Sequence, residues 1–329
     1  MLKNSLFGLA AAALFAFPVD AWATFSIVAC DEQGDCGAAV ATNNLAVGAS
    51  VIYARADTGA VATQFETNPN YGPKGLALLA EGKSPGGTID ALLASDGNFE
   101  GQDISFRQVG VVAPGSPGMA YSGSEALASG WAGAHSGPGF SVQGNGLAGE
   151  RVLTAMERTF LSGEGSLAAR LLAALEAGEA AGGQTTGRMS AALLVRTRDG
   201  GWQDVDLRVD AAPQPVAELR RLFDLRLAQE SIGRAERAWS AGKRAEAEAA
   251  IGQATHLGRG WDRIWRRAAR LSMAMNDRAQ AIAALKAFAS LNPTWARIEL
   301  ADPVYRGLDV GSLMPETETD RADVTDPMN

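Results

Sequence analysis

Histidine is scarce in this chain, which narrows the chemistry that the sequence can support. Of 329 residues only two are histidines, His135 and His256. A Ser-His-Asp triad needs a histidine base and would have to use His135, because His256 lies in a helical stretch near the C-terminus. The sequence also has no Walker loop, no H-E-x-x-H motif and no clustered metal ligands. It therefore indicates neither a resident cofactor nor a metal ion.

Cysteine is equally scarce. Cys30 and Cys36 lie on either side of a turn that contains Gly34. In an oxidising compartment such a pair forms a disulfide across a hairpin. A metal site would need further ligands at suitable spacing, and a catalytic thiol is the remaining alternative.

Apolar runs long enough to span a membrane are also lacking. The run from Leu6 to Phe17 is too short to cross ~30 Å of hydrocarbon as a helix. It follows a lysine and precedes the small residues Ala21 and Ala23, a pattern typical of a secretory signal peptide over residues 1–23. An uncleaved anchor and cleavage after Ala21 are the alternatives. We expect a mature protein outside the membrane, in the periplasm or secreted.

Cleavage after Ala23 would make Thr24 the first residue. An N-terminal threonine carries a hydroxyl nucleophile and a free α-amine, the minimal apparatus of an N-terminal-nucleophile (Ntn) hydrolase. An isolated α-amine titrates near pH ~7.7–8.0, so near neutrality it can accept the hydroxyl proton directly or through water. Such a mechanism needs no histidine.

The net charge of −8 argues against nucleic acid as a general partner. Residues 24–227 carry 14 basic and 22 acidic side chains, residues 228–311 carry 13 and 9, and residues 312–329 carry 1 and 5. This change of sign predicts separate units. The last segment lacks a hydrophobic pattern and is predicted to be a disordered acidic tail.

Secondary-structure patterns over residues 24–227 predict a layered α+β fold. A hairpin comes first, helices dominate the middle and strands close the segment, without the βα alternation of a doubly wound sheet. The predicted strands are 24–29, 37–42, 47–53, 60–63, 108–112, 118–121, 140–143, 191–196 and 205–209, and the predicted helices are 74–81, 88–93, 148–161 and 167–181.

Residues 228–311 are predicted to be helical and contain an internal repeat. Gly-Lys-Arg-Ala-Glu-Ala at 242–247 and Asn-Asp-Arg-Ala-Gln-Ala at 276–281 are 34 residues apart. This period, with small residues at helix contacts, is typical of tetratricopeptide-like helix-turn-helix units that bind partners. A helical bundle that packs on the first domain is the alternative.

A series of short motifs connects the first domain to a known family. They are TFSIVA at 24–29, AVATQ at 60–64, TNPNYGP at 67–73, GLALL at 75–79, RQVG at 107–110, GFSVQGN at 139–145, GRMSAAL at 187–193 and PVAELRRL at 215–222. With them, residues 24–227 resemble the uncharacterised DUF1028 family, which is grouped by similarity with the Ntn hydrolases. The resemblance implies a four-layer αββα sandwich whose first strand carries the nucleophile.

Two positions depart from the family pattern. Relatives tend to have a histidine directly after Trp-Ala-Gly, where this chain has Ala134 and then His135. They also tend to have an aspartate where this chain has Gln184. Either change is compatible with an altered substrate or a lost function.

Side-chain amides can stabilise the oxyanion that forms when Thr24 attacks an amide carbonyl. Asn145 is the first candidate for this role and Asn68 the second, because both lie in turns bracketed by glycine or proline. The alternative for each is a hydrogen bond within its own turn.

Four further residues are candidates for substrate binding. Arg55 and Arg188 could orient Thr24 or bind a substrate carboxylate through two hydrogen bonds, and the alternative for both is surface charge. Tyr71 is a candidate for lining the pocket, although packing explains it equally well. Gln143, in the motif GFSVQGN, is the fourth candidate.

One competing motif is a dinucleotide fingerprint. Gly144-Asn-Gly-Leu-Ala-Gly149 reads G-x-G-x-x-G between a strand and a helix. Repeating βαβ units, which this interpretation requires, are missing from the predicted order.

Two hypotheses follow. In the first, the protein is an exported Ntn-type amidohydrolase that acts on a small amide or peptide bond. In the second, it is a non-catalytic binding protein whose helical region docks a protein partner or the cell wall. Neither hypothesis fixes the oligomeric state, and a homo-oligomer is compatible with both.

Overall fold

A computed structural model describes the protein over residues 23–201, 204–309 and 313–314. The chain divides into two compact units between Leu219 and Arg220. This division and the boundary predicted at 227/228 both fall within one helix, α6 (Pro215–Ser240). The predicted leader, apart from Ala23, and the predicted disordered tail, apart from residues 313–314, lie outside the described residues. No described helix is both long and apolar enough to cross a membrane.

Two antiparallel sheets form the centre of the first unit. One has the strand order β10-β9-β2-β1-β8-β7 and the other the order β3-β4-β5-β6. The strands are β1 (Thr24–Cys30), β2 (Cys36–Thr42), β3 (Ile52–Arg55), β4 (Gly59–Phe65), β5 (Arg107–Val112), β6 (Met119–Ser122), β7 (Trp131–Gly137), β8 (Phe140–Leu147), β9 (Ser190–Arg196) and β10 (Val205–Val209).

Helices cover the outer faces of both sheets. Helices α1 (Tyr71–Ala80) and α2 (Pro85–Ala94) pack on the four-stranded sheet, and α4 (Arg151–Ser162) and α5 (Leu167–Ala180) pack on the six-stranded sheet. A short helix, α3 (Ser124–Ala128), lies next to β7. These layers confirm the predicted α+β fold with its αββα order.

Alternation along β1 decides which side chains reach the space between the sheets. Val28 and Cys30 belong to the apolar cluster that joins the sheets, so Thr24 and Ser26 face the same space, because side chains on a strand alternate with period two. Phe25 instead lies against Gly178 of α5. The hydroxyl of Thr24 therefore points between the sheets and not toward the helices.

The hairpin predicted around Gly34 is confirmed. Strands β1 and β2 pair in one register from Thr24 opposite Thr42 to Cys30 opposite Cys36, and a disulfide joins the two cysteines. This pairing places the disulfide at one end of the sandwich and Thr24 at the other.

The strand predictions were wrong at two places: one strand was missed and another was predicted to begin too early. Strand β7 was missed because Trp-Ala-Gly-Ala-His-Ser-Gly has few residues that favour strands, and its order comes from pairing with β8. The strand predicted at 47–53 begins only at Ile52. Before it, Val47–Ala49 forms a 3₁₀ turn, and the hydroxyl of Ser190 accepts the Val47 N–H.

The second unit consists of helices whose spacing reproduces the 34-residue repeat. After α6 come α7 (Arg244–Leu257), α8 (Asp262–Ala274), α9 (Arg278–Leu291) and α10 (Pro293–Leu300). The bounds of α9 are those of α7 shifted by 34, and the ends of α6 and α8 differ by the same number. The predicted helical region is thus confirmed.

The turns inside the repeat also match in backbone geometry. Gly242 and Asn276 both adopt positive φ, 74° and 59°. In each copy the N–H that follows the turn returns to the preceding helix, from Lys243 to the Ala238 carbonyl and from Asp277 to the Ser272 carbonyl. Such left-handed closures end helices, so both copies use the same device to reverse the chain.

Candidate functional site

Thr24 begins a central strand of the six-stranded sheet, and three polar residues share its row. Thr42 of β2 and Asn145 of β8 lie directly opposite it on the two sides. Ser190 of β9 lies beyond Thr42. All four are buried, Thr24 with 4% of its surface exposed. The topology thus brings together residues that are far apart in sequence.

The Thr24 hydroxyl has a defined partner. Its Oγ1 lies 2.9 Å from Oγ1 of Thr42, and Thr42 donates to the Ala23 carbonyl at 2.9 Å. A hydroxyl has one proton to donate, so Thr42 must accept the proton of Thr24. The side chain of Thr24 is consequently held in one orientation while residue 23 is attached.

Asn145, the first predicted oxyanion donor, lies next to Thr24 as the site requires. Its Nδ2 donates to Oε1 of Gln108 at 2.9 Å, which occupies one of its two protons. Its Oδ1 is buried and has no hydrogen-bond partner in the described part of the chain. Most buried polar atoms in proteins are paired, so this oxygen is unusual.

A neutral network continues from Asn145 into the space between the sheets, and we call it the amide network. Its members are Ser26, Gln64, Gln108, Gln143 and Asn145, linked by hydrogen bonds of 2.6–2.9 Å. Gln143, predicted to bind substrate, is fully buried here and donates to Ser26. Its Oε1 accepts a hydrogen bond from the neighbouring Ser141 at 2.9 Å.

The segment before β9 closes over the same end of the sandwich. The Met189 N–H donates to the Thr42 carbonyl, and Thr185 donates twice to the Gly146 carbonyl. Arg188, between them, is 52% exposed and pairs with Glu179 of α5 at 2.5 Å. The structure therefore places Arg188 at the Thr24 end, in an ion pair.

Asn68 and Tyr71 belong to a different cluster, which we call the ionic cluster. Both donate to Oδ2 of Asp96, at 3.1 and 2.6 Å, and Arg107 forms a 3.0 Å ion pair with the same oxygen. The Oδ1 of Asn68 accepts the N–H of Asn70 within its own turn. Their hydrogen bonds thus connect Asn68 and Tyr71 to Asp96 and not to Thr24.

Electrostatics fix the charge state of this cluster. Burial raises the pKa of Asp96, but hydrogen bonds from Arg107, Tyr71 and Asn68 outweigh it and bring the pKa to about 2. Burial and the neighbouring Asp96 carboxylate raise the pKa of Tyr71. The cluster holds an ionised carboxylate against a guanidinium at neutral pH.

Arg55 lies at the end of the sandwich away from Thr24. It ends β3 opposite Gly59, and nearby Asp57 bonds to Gly34 in the β1–β2 turn. From Cys30 to Thr24 the strand advances ~20 Å at ~3.3 Å per residue. The prediction that Arg55 orients Thr24 is therefore not supported by its place in the fold.

A groove of about 890 Å³ opens at this disulfide end. Its lining includes Asp31, Pro117, Arg170 and Arg198. The groove contains none of the residues predicted to perform catalysis, and only Cys30 of the predicted site residues lies along it.

His135 faces the helices. It lies opposite Val142 in the β7–β8 pairing, and its Nδ1 is 2.8 Å from Oε2 of Glu157 in α4. The hydroxyl of Thr24 faces the other side of the same sheet, so His135 is not placed to act as its base. In the described ranges no three histidine, cysteine, aspartate or glutamate residues group as metal ligands would.

The dinucleotide fingerprint lacks its structural setting. Strand β8, which carries Gly144 and Gly146, is antiparallel to both of its neighbours. Nucleotide-binding units of that kind need parallel strands joined through a helix.

Sequence reasoning missed Thr42, and a signal for it was present. Once Cys30 and Cys36 are taken as a directly opposed pair, the hairpin register places Thr42 opposite Thr24. Gln64 and Gln108 also went unassigned, although both lie in the family motifs. Their roles depend on contacts between sheets, which no spacing within one strand reveals.

Comparison with known proteins shows one family. The model of DUF1028, described as a family of unknown function, matches residues 24–219. A crystal structure of a DUF1028 protein from Silicibacter pomeroyi is 32% identical, with a TM-score of 0.54, over 61% of this chain and 84% of that one. No curated protein matches the chain.

Proposed function

The chain belongs to the DUF1028 family, whose function is unknown, and we propose from its site that it is an exported Ntn-type amidohydrolase. Thr24 supplies both the nucleophilic hydroxyl and, through its own α-amine, the base. The substrate is a small amide or peptide bond. The observation that carries the proposal is the place of Thr24, at the start of a central strand and with its hydroxyl held by Thr42. The predicted secretory leader before it supports the same proposal.

The reaction is acyl transfer. The α-amine takes the hydroxyl proton as Oγ1 bonds to the amide carbon, and the carbonyl oxygen becomes an oxyanion. The carbon–nitrogen bond then breaks and the leaving amine takes the proton. Water hydrolyses the ester and restores the hydroxyl. No step requires His135, which faces the helices.

Two donors at the site suit the oxyanion. The first is the second Nδ2 proton of Asn145, since only one is engaged by Gln108. The other is the Thr42 hydroxyl, which donates to the Ala23 carbonyl in the full-length chain and is released when residue 23 leaves. The Ala23 carbonyl oxygen therefore shows that an oxygen atom at this position lies within hydrogen-bonding distance of Thr42.

Arg188 suits a substrate carboxylate. It lies half exposed at the Thr24 end, and its pairing with Glu179 keeps the guanidinium near the segment that closes this end. A guanidinium can bind a carboxylate through two parallel hydrogen bonds.

The helical repeat is proposed to dock a protein or the cell wall.

Two measurements test the hydrolase together. Mass spectrometry of exported full-length protein identifies the first residue, and a β-lactone, which acylates threonine hydroxyls as its ring opens, reports the nucleophile. We expect Thr24 first, labelling of wild type, and no labelling of Thr24→Ala. Thr185→Ala, a threonine at the same end, is the matched control and is expected to label like wild type.

A different first residue, or equal labelling of wild type and Thr24→Ala, overturns the hydrolase. The second hypothesis, a non-catalytic binding protein, then takes its place.

A further inference from the structure

The nitrogen of Thr24 faces strand β8. At the other end of β1 the Cys30 N–H donates to the Gly139 carbonyl at 2.9 Å, on the β8 side. Backbone groups of a strand alternate between its two neighbours with period two. Thr24 is six residues from Cys30, and the β1–β8 register is continuous from Thr24 to Ala29. Its nitrogen therefore points to the same side, toward Asn145.

The orientation of the Asn145 amide follows from its neighbours. Gln108 donates through Nε2 to Ser122 and to the Gly144 carbonyl, both at 2.9 Å. Its Oε1 accepts from Gln64 and from Asn145 Nδ2, at 2.7 and 2.9 Å. Turning the Asn145 amide over would set two oxygens against each other, so Oδ1 is the atom left without a partner.

We propose that Asn145 is a positioning residue whose Oδ1 accepts a hydrogen bond from the α-amine of mature Thr24. In the full-length chain this nitrogen is a peptide N–H with one proton. Cleavage turns it into an amine with two protons, or an ammonium with three, and so creates the donor that Oδ1 lacks. Thr42 holds the hydroxyl on one side of Thr24 while Asn145 holds the amine on the other.

This arrangement gives Asn145 a different role from that of oxyanion donor alone. The bond to Oδ1 fixes the amine on the strand beside the hydroxyl, so that the base is already placed when substrate arrives. The inference rests on the proposed function only in taking Thr24 as the first residue.

The polar side chains in the row of Thr24 and in the adjoining amide network are uncharged. They are Thr42, Asn145 and Ser190 in the row, and Gln64 and Gln108 from the facing sheet. At this end of the sandwich, Arg188 is paired with Glu179, and Arg151 of α4 donates to the Ala181 carbonyl. A charge introduced at position 145 is therefore expected to control the titration of the amine.

The test is the titration of the amine itself. Mature protein that starts at Thr24 is prepared by removing an N-terminal fusion and is labelled with ¹³C-threonine. The Thr24 Cα resonance, identified by its absence in Thr24→Ser, is followed against pH. An opposite charge within a few ångströms shifts a pKa by about 1–3 units, so Asn145→Asp is expected to raise the amine pKa by about 1 unit or more.

Asn70→Asp is the matched control, because Asn70 is exposed at the start of α1, and its amine is expected to titrate like wild type. Asn145→Ala decides the matter if Asn145→Asp does not fold, and it is expected to lower the amine pKa by removing the acceptor. Folded variants at position 145 that titrate like wild type overturn the inference. Absence of β-lactone labelling would instead count against the hydrolase, so the two failures are distinguishable.

Discussion

The amide network and the ionic cluster are both buried and polar, yet they are built differently. In the ionic cluster an ionised carboxylate meets a guanidinium, and Arg107 also donates to the carbonyls of Glu66, Phe99 and Gln102. The amide network contains no charge and leaves the Oδ1 of Asn145 unpaired. The completed cluster stabilises the fold, whereas the incomplete network retains an acceptor beside Thr24.

The largest expected effect on stability comes from removing Arg107, the cation of the ionic cluster. Arg107→Met leaves the Asp96 carboxylate buried without its counter-ion, and losing one partner of a buried pair costs about 3–5 kcal/mol. We expect a loss of that size in urea unfolding. Arg158→Met, which changes an exposed arginine of α4, is the control and is expected to unfold like wild type. A loss under 1 kcal/mol at Arg107, near what an exposed pair contributes, would contradict the assignment.

Lowering the pH should also reduce the stability contributed by the ionic cluster, by a smaller amount than loss of Arg107. The folded pKa of Asp96 lies near 2, below the ordinary value of 3.8. The stabilising contribution is thus complete above the ordinary value and is lost as pH falls through the folded value. The shift corresponds to about 2 kcal/mol.

Urea unfolding measured at pH values from 3.8 down to about 2 follows the loss of this contribution. Asp96→Asn, which does not titrate there, is expected to lose less stability over the same interval. An equal loss in both proteins would place the acid sensitivity elsewhere.

The two candidate asparagines separate stability from chemistry. Asn68→Ala removes a hydrogen bond to a carboxylate and one to a backbone N–H, and is expected to cost about 1.5–3 kcal/mol without changing the β-lactone labelling rate of folded protein. Asn145→Ala removes one neutral hydrogen bond and an unpaired oxygen. It is expected to cost about 1 kcal/mol or less and to slow labelling. Equal labelling rates in the two variants would remove the distinction between the two regions.

Local patterns predicted most of the fold. The hairpin around Gly34, the positions of the helices and the 34-residue repeat follow from turn residues and periodicity, which act over short distances. The order of the four layers was implied by the family resemblance. Strand β7 was missed since its sequence carries no strand preference of its own. Its place depends on β8, so only tertiary pairing specifies it.

The sequence predicted only some of the residues around Thr24, because the others depend on contacts between strands that are distant in sequence. Asn145 lies beside Thr24 as expected. Asn68, predicted for the same role, is bonded to Asp96. Both were predicted to lie in turns bracketed by glycine or proline, so the sequence around them does not distinguish them. For Asn145 that turn was wrong, because the residue lies inside strand β8. The fold does, because β8 pairs with β1, whereas the turn of Asn68 lies beside α1.

Along β1 the position of a residue in the hairpin register determines which face of the sheet its side chain occupies. Thr24 and Cys30 are separated by an even count, so both face the space between the sheets. One residue added between them would turn the hydroxyl toward the helices, where Phe25 now packs. The disulfide lies some 20 Å from Thr24. In the proposed mature protein, a cut one residue away from the Ala23–Thr24 bond would therefore present a first side chain on the opposite face of the sheet.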